Sequence, residues 1–232
     1  MQRLWAWVVG LFILAVPAQA EDSPVVIELY TSQGCSSCPP ADALLHELAE
    51  QDGVVALAMH VDYWDYIGWK DSFADPEHTN RQRSYSRAAG SRMIYTPQMV
   101  INGQDHVIGN RPRDVINAIN QHRQTEPNVA LSAQRKGDTV EIEAVRNDGA
   151  TAPLIVQLVR YRPESTVDIK RGENAGRTLS YANVVTELTV ISTWKGNEPL
   201  SVTAPVKGED PVVVLIQGQE GSGAVAAVAL LK

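Results

Sequence analysis

The stretch VVIELYTSQGCSSCPPADALLHELAEQ (residues 25–51) decides the fold prediction. Its first part, residues 25–30, is a short and nearly continuous apolar run, which is typical of a parallel strand covered on both faces. Its last part repeats apolar residues at helical spacing before a glycine stop signal. The only two cysteines of the chain, Cys35 and Cys38, lie between these parts. The segment therefore predicts a strand, a Cys-x-x-Cys turn and a helix.

The chain continues to alternate strand and helix signals up to about residue 124. VVALAMHV (54–61) predicts a second buried strand, and RQRSYSRAAG (81–90) predicts a helix that ends at its glycine. PQMVINGQDHVIG (97–109) predicts two short strands around an Asn-Gly turn. An amphipathic pattern then predicts a helix over 112–123. The order β-α-β-α-β-β-α predicts a small parallel sheet with a crossover helix and a terminal antiparallel hairpin.

The pattern changes near residue 126. Six strand-like runs follow, separated by Gly, Pro, Asn and Asp, and helical periodicity is absent. The closing run GAVAAVALL (223–231) fits a final strand, with a short helix as the alternative. We therefore expect an α/β N-terminal domain at residues 21–125 and an all-β, sandwich-like C-terminal domain at residues 126–232.

The first twenty residues have the pattern of a secretory signal peptide. Arg3 precedes an unbroken apolar run at 4–16, and Ala18-Gln19-Ala20 is a small-x-small cleavage pattern. We expect cleavage after Ala20 and a periplasmic or secreted protein. An uncleaved amino-terminal anchor is the alternative.

Composition argues against several function classes. The formal net charge is −7, and no long basic stripe is present, which disfavours binding to nucleic acid or to an anionic membrane surface. The sequence contains no glycine-rich phosphate loop, nucleophilic serine motif or paired catalytic carboxylates. We expect no cofactor.

Four interpretations of the cysteine pair are considered. A structural staple across two residues would add little stability, because the loop that it closes is tiny. A redox centre is favoured by the position before a helix, where a thiolate at Cys35 is stabilised and Cys38 can resolve a mixed disulfide. Pro39 and Pro40 indicate an irregular first turn, with the regular helix starting near Pro40.

Metal binding and simple binding remain as alternatives. A Cys-x-x-Cys pair with His60 or His106 suits copper(I), whereas a structural zinc would need a second ligand pair that the sequence lacks. A binding or assembly module with a vestigial cysteine pair is the non-enzymatic alternative. The expected partners of a redox protein are protein thiols or disulfides and a separate redox partner.

Thr96-Pro97 comes directly before the predicted third strand. A cis bond there would present backbone groups beside the cysteines, and an ordinary trans turn is the alternative. Together with the strand, Cys-x-x-Cys and helix order, this resembles the thioredoxin fold over residues 24–124. The resemblance implies that Thr96 and Pro97 help to hold an extended substrate backbone.

The chain departs from thioredoxin itself in two ways. Gly34 stands where thioredoxin has a tryptophan, and YWDYIGWKDSFADPEH (63–78) is longer than the corresponding link. With TSQGCSSCPPAD (31–42) and RGENAGRTLSYANVV (171–185), the whole chain resembles a secreted thioredoxin-like family labelled domain of unknown function 1223. The resemblance implies a redox role without a known substrate.

Glu28 lies in the middle of the first predicted strand, where a buried carboxylate is costly. Thioredoxins carry a buried acid near this position that moves protons for the resolving cysteine. The resemblance thus suggests a raised pKa and a proton-shuttle role for Glu28, with an edge-exposed glutamate as the alternative.

Two further segments are candidates for substrate contact. Trp64, Tyr66 and Trp69 follow the second strand and could form an apolar platform over the disulfide, or could instead pin the long loop by packing. The charged stretch at 168–185 is long for a sandwich loop. It could cap the cysteine edge, recognise a partner or be a solvated loop.

Overall fold

The computed structural model describes residues 24–218 and 223–231, so the predicted leader at residues 1–20 lies outside the described residues. The described helices are α1 (Pro39–Ala49), a short 3₁₀ helix (Asp65–Ile67), α2 (Pro76–Ala88) and α3 (Pro112–His122). The described strands are β1 (Val25–Thr31), β2 (Val54–His60), β3 (Gln98–Ile101), β4 (Asp105–Ile108), β5 (Val129–Lys136), β6 (Thr139–Arg146), β7 (Leu154–Asp168), β8 (Thr178–Trp194), β9 (Leu200–Pro205), β10 (Val212–Gly218) and β11 (Val225–Leu231). Within these residues no helix combines the length and apolar character that a membrane crossing requires.

Eight strands form one mixed sheet, in the order β11-β10-β7-β8-β2-β1-β3-β4, and β5, β6 and β9 form a separate three-stranded sheet. β1 and β2 are parallel along their whole length, and their last residues, Thr31 and His60, are partners. β3 runs antiparallel to β1. The carboxyl ends of β1 and β2 therefore share one edge, and the cysteine turn begins there.

Local patterns predicted most elements of the first half correctly. The Asn102-Gly103 hairpin is confirmed, and both residues adopt positive φ angles of 46° and 69°, as a tight hairpin turn requires. α2 begins at Pro76 rather than at residue 81. Asp75 caps this helix by accepting a 2.8 Å hydrogen bond from the Glu77 amide, and Pro76 occupies its first turn.

Each face of the large sheet has its own cover. Because side chains alternate along a strand, β1 sends Ile27 and Leu29 toward α1 and α3, and sends Val26 and Tyr30 toward Tyr85 of α2. The outer strands β7, β10 and β11 pack with the three-stranded sheet in a further apolar cluster. The cores of the two chain halves are thus built on the same sheet.

The predicted fold class, an α/β thioredoxin-like N-terminal domain plus an all-β sandwich-like C-terminal domain, is wrong. The structure is mostly β, with 44% of residues in strands and 19% in helices, and strands from beyond residue 126 extend the sheet that β1 begins. Alternating apolar residues indicate that one face of a strand is buried, but they do not identify its neighbour. The boundary near residue 126 stays a prediction about domain organisation.

A long hairpin replaces the loop expected at 168–185. β7 and β8 pair from Leu154 opposite Trp194 as far as Asp168 opposite Thr178, so only residues 169–177 lie between the strands. The hairpin beyond the register shift at Arg160/Tyr161, residues 162–184, is called the β7–β8 arm below. In the sequence, the polar and charged residues of this segment indicated a loop.

A buried ion pair joins α2 to the sheet. Arg81 donates from Nε and Nη2 to the two carboxylate oxygens of Glu28, at 2.6 and 2.8 Å. Tyr30 and Tyr85 donate their hydroxyls to the same carboxylate at 2.9 and 2.7 Å. Every carboxylate oxygen of Glu28 is therefore hydrogen-bonded, which compensates for its burial.

Arg81 also reaches the far side of the sheet. Its Nη1 and Nη2 atoms donate to Gln157 of β7 at 3.2 Å and to Gln217 of β10 at 3.0 Å. β1 and β10 are four places apart in the strand order, so the sheet must curl around the guanidinium group. The curl brings the two ends of the sheet together. The Val225 amide at the start of β11 donates a 3.0 Å hydrogen bond to the Asn102 carbonyl in the turn between β3 and β4.

We expect Arg81→Met to lower the free energy of unfolding by about 3–5 kcal/mol, because it leaves the Glu28 carboxylate buried without its cation. Urea unfolding followed by circular dichroism measures this change. The exposed Arg83→Met, on the same helix, is the matched control and should change stability by less than about 0.5 kcal/mol. Adding Glu28→Gln to Arg81→Met should recover part of the loss, and equal effects of the two arginine variants would contradict the prediction.

Candidate functional site

Cys35 and Cys38 form a disulfide in the turn between β1 and α1, with their Cα atoms 5.4 Å apart. Cys38 is the N-cap residue of α1, and its carbonyl accepts hydrogen bonds from the amides of Ala41 and Asp42 at 2.8 and 3.1 Å. The helix begins at Pro39, one residue before the predicted start. Both cysteines have 0% exposure, so the disulfide is closed to solvent.

A buried polar cluster lies at the same sheet edge. The Asp71 Oδ2 atom accepts from the Gln33 amide at 2.8 Å and from His60 Nδ1 at 2.7 Å, since a carboxylate has no proton to donate. The Thr31 hydroxyl donates to Asp42 Oδ1 at 2.7 Å. The cluster therefore joins the cysteine turn, the ends of two parallel strands and the first turn of α1.

The two carboxyl groups of this cluster have opposite pKa shifts. Burial raises the pKa of Asp42 to about 7, and the Thr31 hydrogen bond and the charge of His60 only partly oppose this. Burial also acts on Asp71, but the His60 charge and the hydrogen bonds from His60, Gln33 and Phe73 hold the pKa of its carboxyl below the usual value. Near neutral pH, Asp42 can therefore hold a proton while Asp71 is ionised.

Two polar atoms of the cluster lack hydrogen-bond partners within the described residues. They are the His60 Nε2 atom and the Tyr181 hydroxyl. The two rings pack edge to face, with centroids 4.8 Å apart. Burial and the charges of Asp42 and Asp71 raise the pKa of Tyr181, which keeps its hydroxyl protonated. Tyr181 belongs to the β7–β8 arm, so the second half of the chain covers this cluster.

The predicted cis bond between Thr96 and Pro97 is confirmed. Trp64 connects this segment to the cysteine turn, because its Nε1 atom donates to Thr96 Oγ1 at 2.7 Å while its side chain lies against Gly34. A Cβ atom at Gly34 would come within 3.3 Å of the Trp64 Cβ atom. The proposed substrate-holding role of Thr96 and Pro97 stays a prediction.

The three aromatic candidates occupy different environments. Tyr66 is 83% exposed, whereas Trp64 and Trp69 are half-buried. Trp69 donates from Nε1 to the Gln33 side-chain oxygen at 2.8 Å and so supports the cysteine turn. Tyr66 alone of the three offers a mostly exposed ring, and substrate contact by these residues stays a prediction.

The expectation of a raised pKa at Glu28 is wrong. Burial acts to raise this pKa. The charge of Arg81 and the hydrogen bonds from Arg81, Tyr85 and Tyr30 outweigh burial and hold the pKa of Glu28 below its usual value. Asp42 has the property that the sequence analysis assigned to Glu28. The missed signal was helical spacing, because Asp42 lies three residues before the buried Leu45 and so belongs to the inward face of α1.

Asn174, in the charged stretch at 168–185, is a further residue of the site. Its side chain is 2% exposed, and its Nδ2 atom donates to the carbonyls of Gln33 and Cys35, both at 3.0 Å. The charged stretch at 168–185 therefore caps the cysteine edge, which was one of its three expected roles.

The histidines considered as metal ligands have other contacts. His60 Nδ1 is engaged by Asp71, and His106 Nδ1 lies 3.4 Å from the Gln98 side-chain nitrogen. Across residues 24–218 and 223–231, no three or more His, Cys, Asp or Glu side chains are grouped as a metal site would require.

Asp42 should make stability fall as pH rises. Its pKa is about 7 in the folded chain and about 3.9 when unfolded, so its favourable contribution is complete below pH 4 and is lost between these values. We therefore compare the free energies of unfolding of Asp42→Asn and the wild type. Their difference should shift in favour of the variant by up to about 4 kcal/mol between pH 4 and 8. Urea titrations across this range, with exposed Glu47→Gln as control, measure the difference; a constant difference would refute the assignment.

No curated protein matches this chain. A crystal structure of an Agrobacterium tumefaciens protein, from a structural genomics consortium, is 35% identical, with a TM-score of 0.77 and coverage of 91% of this chain and 96% of that chain. Superoxide reductase from Nanoarchaeum equitans is 10% identical with a TM-score of 0.24, covering 46% of this chain and 94% of its own, and this likeness carries no argument.

A family model described as "Protein of unknown function (DUF1223)" matches residues 26–217, which include every site residue described above. The predicted secretion stays a prediction. The match extends over both halves of the chain, as the continuous sheet does, and confirms the family expected from the sequence: this chain belongs to the DUF1223 family.

Proposed function

We propose that this protein is a thiol–disulfide oxidoreductase in which Cys35 and Cys38 are the redox pair. In the reduced state Cys35 is the attacking thiol and Cys38 the resolving one, and the substrates are protein or small-molecule thiols and disulfides. The predicted leader would place this chemistry in the periplasm or outside the cell, where disulfides persist. The redox partner that completes the cycle is a separate protein or thiol.

One observation carries the proposal: the disulfide lies at the start of α1, and the first turn of this helix holds a buried acid, Asp42, whose pKa is about 7. A carboxyl group that titrates at neutral pH suits proton transfer in that range. A bridge that served only as a staple would need no such group, and across two intervening residues it would add little stability.

Burial gives Asp42 a specific role in exchange. When an incoming thiolate attacks one sulfur, the S–S bond breaks, a mixed disulfide forms and the other sulfur leaves as a thiolate. Since neither sulfur is exposed to water, a thiolate left there is poorly solvated. Asp42 lies one helical turn beyond Cys38, and we assign its proton to the leaving sulfur. In the reverse direction the Asp42 carboxylate takes this proton back and generates the thiolate.

The reduction potential tests whether the pair is redox-active. We expect equilibration with glutathione or dithiothreitol buffers to give a potential between about −270 and −120 mV, the span of known exchange proteins. Cys35→Ser should abolish catalysed reduction of a disulfide substrate, with Ser36→Ala as control. A potential below about −300 mV, typical of structural disulfides, would refute the proposal and support a binding or assembly module.

The role of Asp42 predicts a distinct pH profile. The rate of disulfide reduction, expressed per attacking thiolate, should fall as pH rises through about 7, because protonated Asp42 is consumed. Asp42→Asn should remove this dependence and slow the reaction at pH 6 by about a hundredfold. Rapid quenching with an alkylating agent and mass spectrometry measures both rates. A wild-type profile retained in Asp42→Asn would exclude Asp42 as the donor.

A further inference from the structure

The disulfide is closed in this structure, and the second half of the chain contacts the turn that holds it. Exchange requires a thiolate to reach a sulfur atom, yet Cys35 and Cys38 both have 0% exposure. The tip of the β7–β8 arm, residues 169–177, lies over the cysteine turn, where Asn174 donates hydrogen bonds to the carbonyls of Gln33 and Cys35. A covering segment must therefore move before exchange takes place, and the arm is the segment that donates hydrogen bonds to the carbonyls of the turn.

Asn174 is fixed on both sides. Its Nδ2 atom uses its two hydrogens on the two backbone carbonyls, and its Oδ1 atom accepts from Arg177 Nη1 at 3.0 Å. The tip has hydrogen bonds of its own, from the Ile169 amide to the Arg177 carbonyl at 2.9 Å and from the Gly176 amide to the Ile169 carbonyl at 2.8 Å. These internal bonds make the tip a preformed unit that can move as a whole.

The arm has few backbone hydrogen bonds to the rest of the sheet. In the described part of the chain, β8 pairs with β2 through one residue pair, Ala58 and Val184, Asn183 Nδ2 donates to the Ala56 carbonyl at 2.9 Å, and α1 lies against β8. A small apolar cluster supplies further contact: its arm residues are Ile169, Leu179, Tyr181 and Val184, which pack with Trp69 and Phe73. A segment held by a small cluster opens at a lower free energy than the sheet core.

The contact itself indicates what replaces the arm. An asparagine side chain carries the same amide group as a peptide, so Asn174 presents to these carbonyls the donor that an extended polypeptide backbone would present. We propose that the Gln33 and Cys35 carbonyls are a docking site for the backbone N–H groups of an extended, cysteine-bearing substrate segment, and that Asn174 occupies this site until the substrate displaces it. This inference rests on the proposed function.

The proposed exchange transfers two electrons from two substrate thiols to the disulfide. A substrate cysteine thiolate attacks the disulfide, and the S–S bond is replaced by a mixed disulfide. A second substrate thiolate attacks the substrate sulfur of that mixed disulfide, which releases the substrate as a disulfide and leaves the pair reduced. Two substrate thiols are oxidised, and the two protons that they lose equal the two that Cys35 and Cys38 gain.

Asn174→Asp tests the displacement. The substitution keeps the size but puts a carboxylate against two carbonyls, so the arm should open more often. We expect dithiothreitol to reduce the disulfide about tenfold faster or more, corresponding to the loss of two hydrogen bonds. The exposed Lys170→Gln, on the same tip, is the control and should not change the rate. An unchanged rate in Asn174→Asp would overturn the inference.

Urea dependence separates local opening from unfolding of the whole chain. In the wild type, the logarithm of the dithiothreitol reduction rate should rise with urea with a slope well below the equilibrium m value, because arm opening exposes little surface. A slope equal to the m value would mean that access requires global unfolding, and would overturn the inference even if variants at Asn174 fold poorly.

The substrate class is tested with two synthetic peptides. Both contain two cysteines in an extended sequence, and one is N-methylated at the residues flanking the first cysteine. The wild type should oxidise the unmethylated peptide at least about tenfold faster, since N-methylation removes the donors, and equal rates would overturn the docking site. The reduction potential is an equilibrium quantity, so its failure would be distinguishable from failure of these rates.

Discussion

The ion pair between Arg81 and Glu28 is the interaction on which the rest of the structure depends. A buried charge must be paired. Arg81 is paired with Glu28 of β1 and also donates to Gln157 and Gln217 of the neighbouring strands β7 and β10, which lie three and four places from β1 in the sheet order. The guanidinium group therefore fixes α2 and the curl of the sheet together. The curled sheet then joins the two halves of the chain in one body, with the β7–β8 arm over the cysteine turn.

Burial alone does not decide the protonation of an acid in this protein; its neighbours do. Glu28 and Asp71 are both buried, yet Arg81 holds the first ionised, and His60 with two backbone amides holds the second. Asp42 is also buried, but the Thr31 hydroxyl hydrogen bond and the charge of His60 compensate only partly, so its pKa rises to about 7. Two carboxylates with structural roles thus accompany one suited to carry a proton.

The same burial links the proposed chemistry to motion. A disulfide closed to water is protected from chance exchange, and a thiolate formed there requires a proton from inside the protein. Asn174 contacts the cysteine turn from the loop before β8, and in the proposed mechanism Asp42 would supply the proton from α1. Selectivity and reactivity would then depend on the same event, the displacement of the arm by a substrate.

The sequence by itself determined most local elements of the first half, because helical and strand periodicity and the Asn102-Gly103 turn act between near neighbours. It also determined the cysteine turn and its position between β1 and α1. Only the tertiary structure decided which strands pair, since alternation shows a buried face and not a partner. For the same reason the sequence suggested Glu28 as the proton carrier. The ionised state of Glu28, the raised pKa of Asp42 and the cover of Asn174 all depend on contacts between residues far apart in the chain.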